Sequence, residues 1–413
     1  MADVKRNLAL KIAKLLDMFP AVCILGVRQA GKTSLAKQLC PTWKYVDLEK
    51  QSDYERITAD PEYFFQEYSK NLIIDEAQIY PEIFNILRGG IDEQRHLKGR
   101  FILTGSSSME LLKGISESLA GRIAIVNLGT LKANELYNIP LSKLYSVFTE
   151  KNINKNNFPI SGEPPLSNKQ MQHCWLFGGY PEPVMHSNDP LFYQQWMENY
   201  FNTYINRDIA RLFPRLNRGN YQRFIKMLGR LTGTILNQND LARALEVSAP
   251  TVKEYLDIVA GTYVWRSLPS YETNVTKSTI KMPKVHITDT GLLHYFLGIQ
   301  DFDGLFFDPL SGRSFEAFVI EEIIKGLDAT FLTDKHQYYY RTKSNVEVDL
   351  ILESPNGLVP IEIKQGKTIN RADLKHLKSF MLDQNLSLGI VVNQSNEVAW
   401  LTNEIVQVPL GFL

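Results

Sequence analysis

Apolar and polar positions fall into distinct regimes along the chain. Up to about residue 130, short apolar runs of strand length alternate with helical patterns. Val22–Leu25, Tyr45–Asp47, Leu72–Asp75, Phe101–Thr104 and Ile123–Leu128 read as strands. This alternation predicts a parallel α/β sheet, because parallel neighbours need a crossover and a helix supplies it. Right-handed crossovers line up the strands' C-terminal ends, and with them any ligand, along one edge. From about 138 to 170 the chain turns Asn-, Lys-, Pro- and Ser-rich, with Pro164-Pro165 as punctuation, which predicts a linker or insertion over 136–170. Aromatic-rich helices are expected from about Gln170 to Arg230.

Leu236 to Val259 has the spacing of a helix-turn-helix. Asn239 is the expected cap of a helix carrying Leu241, Ala244 and Leu245, Val247-Ser248 the turn, and Val252, Tyr255 and Leu256 the inner face of a second helix. Val264–Leu268 and Val285–Ile287 would supply wing strands. A DNA-reading helix presents basic or amide side chains to the groove. Here the presumed contact face offers Ser248, Thr251, Lys253 and Glu254, a nearly neutral set, which favours a packing or relay role. Upstream, Arg207, Arg211, Arg215, Arg218, Arg223, Lys226 and Arg230 form a basic concentration interrupted by Pro214. It reads equally as a phosphate-tracking patch or as a solvated face with scattered ion pairs.

Nearer the C-terminus, Val346 to Glu353 alternates acids with apolar residues at strand period. Ser354-Pro355-Asn356-Gly357 is a turn signal, and Leu358 to Gln365 is the return strand. A symmetric loop over 354–357 places Asp349 opposite Glu362, with Lys364 on the same face as Glu362. Facing carboxylates about 5 Å apart at Cβ are costly unless a cation or proton relieves them. A divalent metal would do so, and Lys364 could then position water or stabilise an oxyanion. An ordinary hairpin with a charged outer face is the alternative.

Composition narrows the classes. The chain has 413 residues, enough for two to four domains, and is 44% apolar and 22% charged. Forty-five basic and 45 acidic residues cancel, so no global field draws the protein onto nucleic acid. Cys23, Cys40 and Cys174 lack metal-ligand spacing and read as reduced thiols. No apolar run approaches the roughly 18 residues of a membrane span, and no signal-peptide core opens the sequence. A cytoplasmic protein is expected.

The sharpest chemical signal is Gly26-Val27-Arg28-Gln29-Ala30-Gly31-Lys32-Thr33, a complete G-x-x-x-x-G-K-[ST] loop. It follows an apolar strand and opens a helix at Ser34, the context that its mechanism needs. Loop backbone and helix N-terminus would cradle the α- and β-phosphates of ATP, Lys32 would reach the β- and γ-phosphates, and Thr33 would ligate Mg²⁺. About 40 residues on, Leu72-Ile73-Ile74-Asp75-Glu76 ends an apolar strand in two acids. One suits the metal (Asp75) and the other the attacking water (Glu76). Phe101-Ile102-Leu103 then runs into Thr104-Gly105-Ser106-Ser107-Ser108. Those hydroxyls, Ser106 among them, either sense the γ-phosphate or cap the next helix.

These pieces, with Ser118-Leu119-Ala120-Gly121-Arg122, Gly178-Gly179-Tyr180-Pro181, Gly312-Arg313-Ser314-Phe315-Glu316, Glu347-Val348-Asp349 and Ile361-Glu362-Ile363-Lys364, span nearly the whole chain. In this order they resemble a large prokaryotic family of AAA+/STAND-like P-loop ATPases with a C-terminal restriction-endonuclease-like domain. The resemblance implies a P-loop α/β domain over 1–135 and an α/β nuclease-like domain over 301–413, and the residue patterns put between them a linker or insertion over 136–170 and a helical and winged-helix-like domain over 171–300. It implies a second metal site of Glu316, Asp349, Glu362 and Lys364. It also makes Arg28 and Arg122 the arginines placed by motif to meet a γ-phosphate, Arg122 within its own subunit or across an interface of a homo-oligomer. A helix-to-strand salt bridge is the other reading of Arg122. Three functions follow: an Mg²⁺-dependent ATPase controlling the C-terminal domain, an ATP-gated DNA endonuclease, or a non-cleaving adaptor for DNA or protein.

Overall fold

The computed structural model describes residues 4–106, 117–272, 282–343 and 345–413. These divide into two compact units, residues 1–131 with 261–263, and residues 132–260 with 264–413.

The first unit is a five-stranded parallel sheet. Its strands are β1 (Ala21–Leu25), β2 (Lys44–Asp47), β3 (Leu72–Asp75), β4 (Phe101–Gly105) and β5 (Ile123–Asn127). Their order across the sheet is β2-β3-β4-β1-β5. Both faces are covered, which is why β1, β3 and β4 read as continuous apolar runs rather than alternating ones. One face packs Cys23, Leu25, Ile74 and Leu103 with Phe64, Phe84 and Ile91. The other packs Val22, Ile24, Ile73 and Ile102 with Ile12 and Leu35. The five strands lie where the apolar runs predict, within a residue or so at each end. β4 sits between β1 and β3, so the strand ends carrying the P-loop and Asp75 flank Thr104 rather than each other.

The second unit begins with helical structure. Residues 136–170, expected as a linker or insertion, are no bare tether. Leu144, Tyr145, Val147, Phe148 and Leu166 are buried in this unit's largest apolar core. The Tyr145 ring lies over Gly326, where a Cβ would come within 2.0 Å of it, and its hydroxyl donates to the Glu322 carbonyl at 3.0 Å. Polar composition hid this anchoring because only a few apolar residues carry it. The aromatic-rich helices follow as Asn168–Phe177, Pro190–Thr203 and Arg218–Arg230. Trp175 is fully buried edge-on to Phe315 and donates its indole N–H to Ser314 at 2.9 Å. That satisfies its polar end, as a buried Trp requires.

The expected helix pair is present as Gln238–Leu245 and Ala249–Gly261. The cap is Asn237, whose side chain accepts from the Asn239 and Asp240 amides, and not Asn239. Ala242 is buried and Ala244 exposed, so the inner face is Leu241, Ala242 and Leu245. Val252, Tyr255 and Leu256 are buried as the pattern requires. A small antiparallel sheet accompanies the pair: β6 (Thr234–Ile235), β7 (Trp265–Leu268) and β8 (Lys284–Ile287), in the order β6-β8-β7.

Last comes a long helix, Ser311–Asp328, and a six-stranded mixed sheet. Its strands are β9 (His336–Arg341), β10 (Glu347–Ser354), β11 (Gly357–Ile363), β12 (Gly389–Asn393), β13 (Ala399–Trp400) and β14 (Ile405–Pro409), ordered β13-β14-β12-β11-β10-β9. β9, β10 and β11 are antiparallel neighbours, whereas β11, β12 and β14 run parallel, with the helix Lys375–Asp383 on the crossover from β11 to β12. In the β10–β11 hairpin Ser354 pairs with Gly357, so the turn proper is only Pro355-Asn356. The symmetry centre is unchanged, and Leu350 pairs with Ile361. Asp349 and Glu362 are one step beyond that pair.

Candidate functional site

At the C-terminal end of β1 the chain bends sharply into the helix Lys32–Leu39. Gly26 makes this possible: a Cβ there would lie 2.0 Å from the Leu128 carbonyl oxygen. Gly31, the residue before the helix, sits at φ +93° in the left-handed region that glycine tolerates. Ala30 is buried, Gln29 is exposed, and Ser34 is exposed on the helix's first turn. Lys32 is buried, and its ammonium donates to the carbonyls of Gly26 and Val27, both at 3.0 Å. Burial lowers its pKa from the ordinary lysine range, against the raising pull of Glu76 and Asp75. An ammonium held by neutral carbonyls at a loop mouth is suited to receive a polyanion. Arg28 reaches toward Glu49 at 3.9 Å.

Asp75 closes β3 and is 5% exposed. Three hydroxyls converge on its carboxylate: Thr33 at 2.8 Å, Tyr45 at 2.7 Å, and the fully buried Thr104 of β4. Burial and this bond push the Tyr45 phenol well above its ordinary range, so it stays a donor. Glu76 follows at φ +53°, a left-handed conformation costly for a non-glycine residue. Its amide donates to Thr104 Oγ1 at 3.2 Å, and its carboxylate accepts from Ser106 at 2.8 Å and from Gln78. The ends of β1, β3 and β4 thus bring Thr33, Asp75, Glu76 and Ser106 into one hydrogen-bonded group linked through Thr104, while Lys32 stays on the loop carbonyls. Ser107 and Ser108 lie outside the described residues.

Two placements were not visible in the sequence. Arg6, just before the helix Leu8–Met18, is buried and donates to the Ala30 carbonyl at 2.6 Å and the Gly129 carbonyl at 2.7 Å, strapping the phosphate loop to the exit of β5. Tyr45 carries no motif at all; it is the second residue of β2, a strand with one fully buried position. Arg122, by contrast, is not brought to this group. It precedes β5, whose Ile123 pairs with Ala21, the first residue of β1, so it lies at the opposite end of the sheet from Gly26. Five strand residues at about 3.3 Å each separate those ends by roughly 16 Å, beyond an arginine's reach. There it forms a bidentate pair with Asp92 at 2.7 and 2.8 Å, the salt bridge that the sequence left open.

In the second unit, Glu316, Asp349, Glu362 and Lys364 come together, but not around an open site. The Lys284 ammonium lies 2.5 Å from Glu316, 3.0 Å from Glu347 and 3.8 Å from Asp349. Lys364 pairs with Glu362 at 2.6 Å, and Asp349 also accepts the Ile363 amide at 2.8 Å. A bulge in the β9–β10 pairing falls at Asp349 and Leu350. Burial raises both Glu362 and Glu316 above the usual carboxylate range. Among the described residues, no group of three or more His, Cys, Asp or Glu is arranged to hold a metal ion. As they stand, these residues do not fit the expected divalent metal, because an internal ammonium occupies the middle of the acids. Neither Lys284 nor Glu347 was singled out from sequence for this cluster.

Residues 18–137 match a family model described as an AAA domain. Residues 168–303 and 311–413 match two models described as domains of unknown function, DUF8612 and DUF4143. The parallel sheet and its loop agree with that match, and residues 18–137 form a P-loop domain of the AAA type. Over 409 residues it is 31% identical to the uncharacterized protein Rv2008c of Mycobacterium tuberculosis, covering 98% of this chain and 83% of that one. Mb2031c of Mycobacterium bovis matches equally. The chain belongs to the family of these mycobacterial proteins. Among solved structures it is similar to the Walker-type ATPase PABY2304 of Pyrococcus abyssi, with 14% identity, a TM-score of 0.42, and coverage of 70% of this chain and 94% of that one. It is also similar to the STAND protein PH0952 of Pyrococcus horikoshii, with 14% identity, a TM-score of 0.24, and coverage of 77% and 48%. Among the described residues no helix is long and apolar enough to cross a membrane.

Proposed function

We propose that the protein binds ATP with Mg²⁺ at Gly26–Thr33 and hydrolyses it, and that the nucleotide state acts on the C-terminal region. The observation that carries this reading is the convergence of Thr33, Thr104 and Asp75 beside the buried ammonium of Lys32. Two hydroxyls and a carboxylate, all hard oxygen donors, suit Mg²⁺. Thr33 and Asp75 would hold the ion, which when bound supplies Lewis-acid stabilisation of the charge that builds on the transferred phosphoryl group. Lys32 exchanges its carbonyl partners for phosphate oxygens. Glu76 orients the attacking water, with Ser106 and Gln78 setting the direction of its carboxylate. Arg6 keeps the loop in place.

For the C-terminal region, the helix Ser311–Asp328 with the β9–β11 meander and the Asp349, Glu362 and Lys364 grouping supports a restriction-endonuclease-like module, and the two-helix, three-strand segment before it supports a winged-helix-like one. The ammonium of Lys284 amid the acids favours the non-cleaving adaptor over the ATP-gated endonuclease. A comparison of Lys32→Ala, Glu76→Gln and Lys364→Ala tests this, reading ATP binding, ATP turnover and DNA cleavage together. Lys32→Ala should lose binding, Glu76→Gln should bind without turnover, and Lys364→Ala should leave both intact. Normal hydrolysis by Lys32→Ala would refute the ATPase assignment. Cleavage that disappears in Lys364→Ala would refute the adaptor reading.

A further inference from the structure

The cation in the C-terminal acid cluster comes from outside the hairpin that carries the acids. Lys284 is the first residue of β8, the central strand of the three-stranded sheet, whereas Glu347 and Asp349 stand on β10 and Glu316 on the helix Ser311–Asp328. Its side chain is 5% exposed and reaches all three acids. An ammonium is a compact charge with three donors, and here three carboxylates surround it. Each side needs the other: an unpaired buried ammonium and uncompensated buried acids are both unfavourable. One oxygen remains over. Glu362 is buried, one carboxylate oxygen is held by Lys364, and the other, Oε2, has no hydrogen-bond partner. The cluster therefore has the donor set of a cation site, a spare acceptor, and a lysine already in the place of the ion.

We propose that Lys284 is the resident cation of this cluster and excludes a divalent metal ion while β8 stays in place. Like charges within about 4 Å repel strongly in a partly buried setting, so the ammonium and a divalent ion cannot share the same acids. The proposal rests on reading the cluster as a cation site and is independent of whether the site ever cuts DNA. Making the exclusion from β8 couples metal access to the position of a different structural element.

Mn²⁺ binding followed by electron paramagnetic resonance on the full chain tests this. Wild type, Lys284→Met, Asp349→Asn and the Lys284→Met/Asp349→Asn double variant are compared, so that ions at the nucleotide site cancel. Lys284→Met should gain one Mn²⁺ site bound at least about tenfold more tightly than anything dependent on Asp349 in wild type, and the double variant should lose it. Wild-type binding that already falls with Asp349→Asn would overturn the proposal, as would a folded Lys284→Met with no gained site. If Lys284→Met is unfolded without metal, recovery of its native circular dichroism by Mn²⁺ supports the proposal and failure to recover overturns it. The nuclease-like reading fails separately: a Lys284→Met protein that holds Mn²⁺ and cuts no DNA keeps the exclusion and removes the nuclease.

Discussion

Gly26→Ala measures how tightly the phosphate loop is threaded against its own sheet. The added methyl would stand 2.0 Å from the Leu128 carbonyl oxygen, and 3.0 and 3.3 Å from that residue's carbon and nitrogen. Ordinary contact starts at about 3.4 Å, so roughly 1.4 Å must be found between two backbones. Neither can yield cheaply. The Leu128 amide donates to Leu25 at 2.7 Å, the Gly26 amide donates to Gly105 at 3.3 Å, and β5 is paired with β1 along its length. Overpacking against backbone costs about 1–3 kcal/mol, and the +154° φ adds about 1–2 kcal/mol for a residue with a Cβ. The expected loss is about 2–5 kcal/mol. Gly31→Ala is the control. Its nearest neighbour would be the tip of Arg6 at 3.6 Å, so only the +93° φ is unfavourable, at about 1–2 kcal/mol. Hydrogen exchange read at the β1 and β5 amides isolates this unit from the rest of the chain, and a fluorescent ATP analogue reports binding. Equal losses for the two variants, or Gly26→Ala exchanging like wild type, would refute the close approach at Leu128.

Three further outcomes follow from the geometry. Tyr45→Phe removes one hydroxyl from Asp75 while keeping the ring that Lys37 covers at 3.4 Å. A bond to a charged acceptor at a half-buried site predicts a loss of about 1–2 kcal/mol, read as a lower melting temperature without nucleotide. Glu321, buried between Arg266 and His286, is pushed up by burial but held down at about 2 by the guanidinium and the imidazole hydrogen bond. Its folded pKa is below the unfolded one, so the stabilisation is present above about pH 4.5 and is lost as pH falls toward 2. On the order of 3 kcal/mol is at stake, and acid titration of Glu321→Gln should lack that slope. Arg122→Ala breaks an exposed, solvent-screened pair and leaves ATP affinity at the wild-type value, measured by titration. A tenfold loss would contradict its place at the far end of the sheet.

How much of this was legible beforehand depended on how local each cause was. The three central strands β1, β3 and β4 were readable because strands buried on both faces must be continuous apolar runs, as in Leu72–Asp75. The β10–β11 register, from Ser354 with Gly357 to Leu350 with Ile361, was readable because a hairpin's register follows from the centre of its turn, whichever turn type forms. The cap at Asn237 was missed by two residues because two asparagines compete for it within one short stretch. Packing of Leu144, Tyr145 and Phe148 was missed because a few anchors are diluted among polar neighbours.

The sequence by itself determined the phosphate loop, its supporting strand and the two acids that follow, since each is a short segment whose chemistry and backbone are set by adjacent residues. The tertiary structure alone decided the company those residues keep. Tyr45 joins Asp75 through a neighbouring strand, Arg6 crosses from the N-terminal segment to the loop, Arg122 is carried to the wrong end of the sheet, and Lys284 enters an acid cluster more than 30 residues away in the chain. Contacts between distant segments depend on strand order and packing, which no local pattern of side chains records.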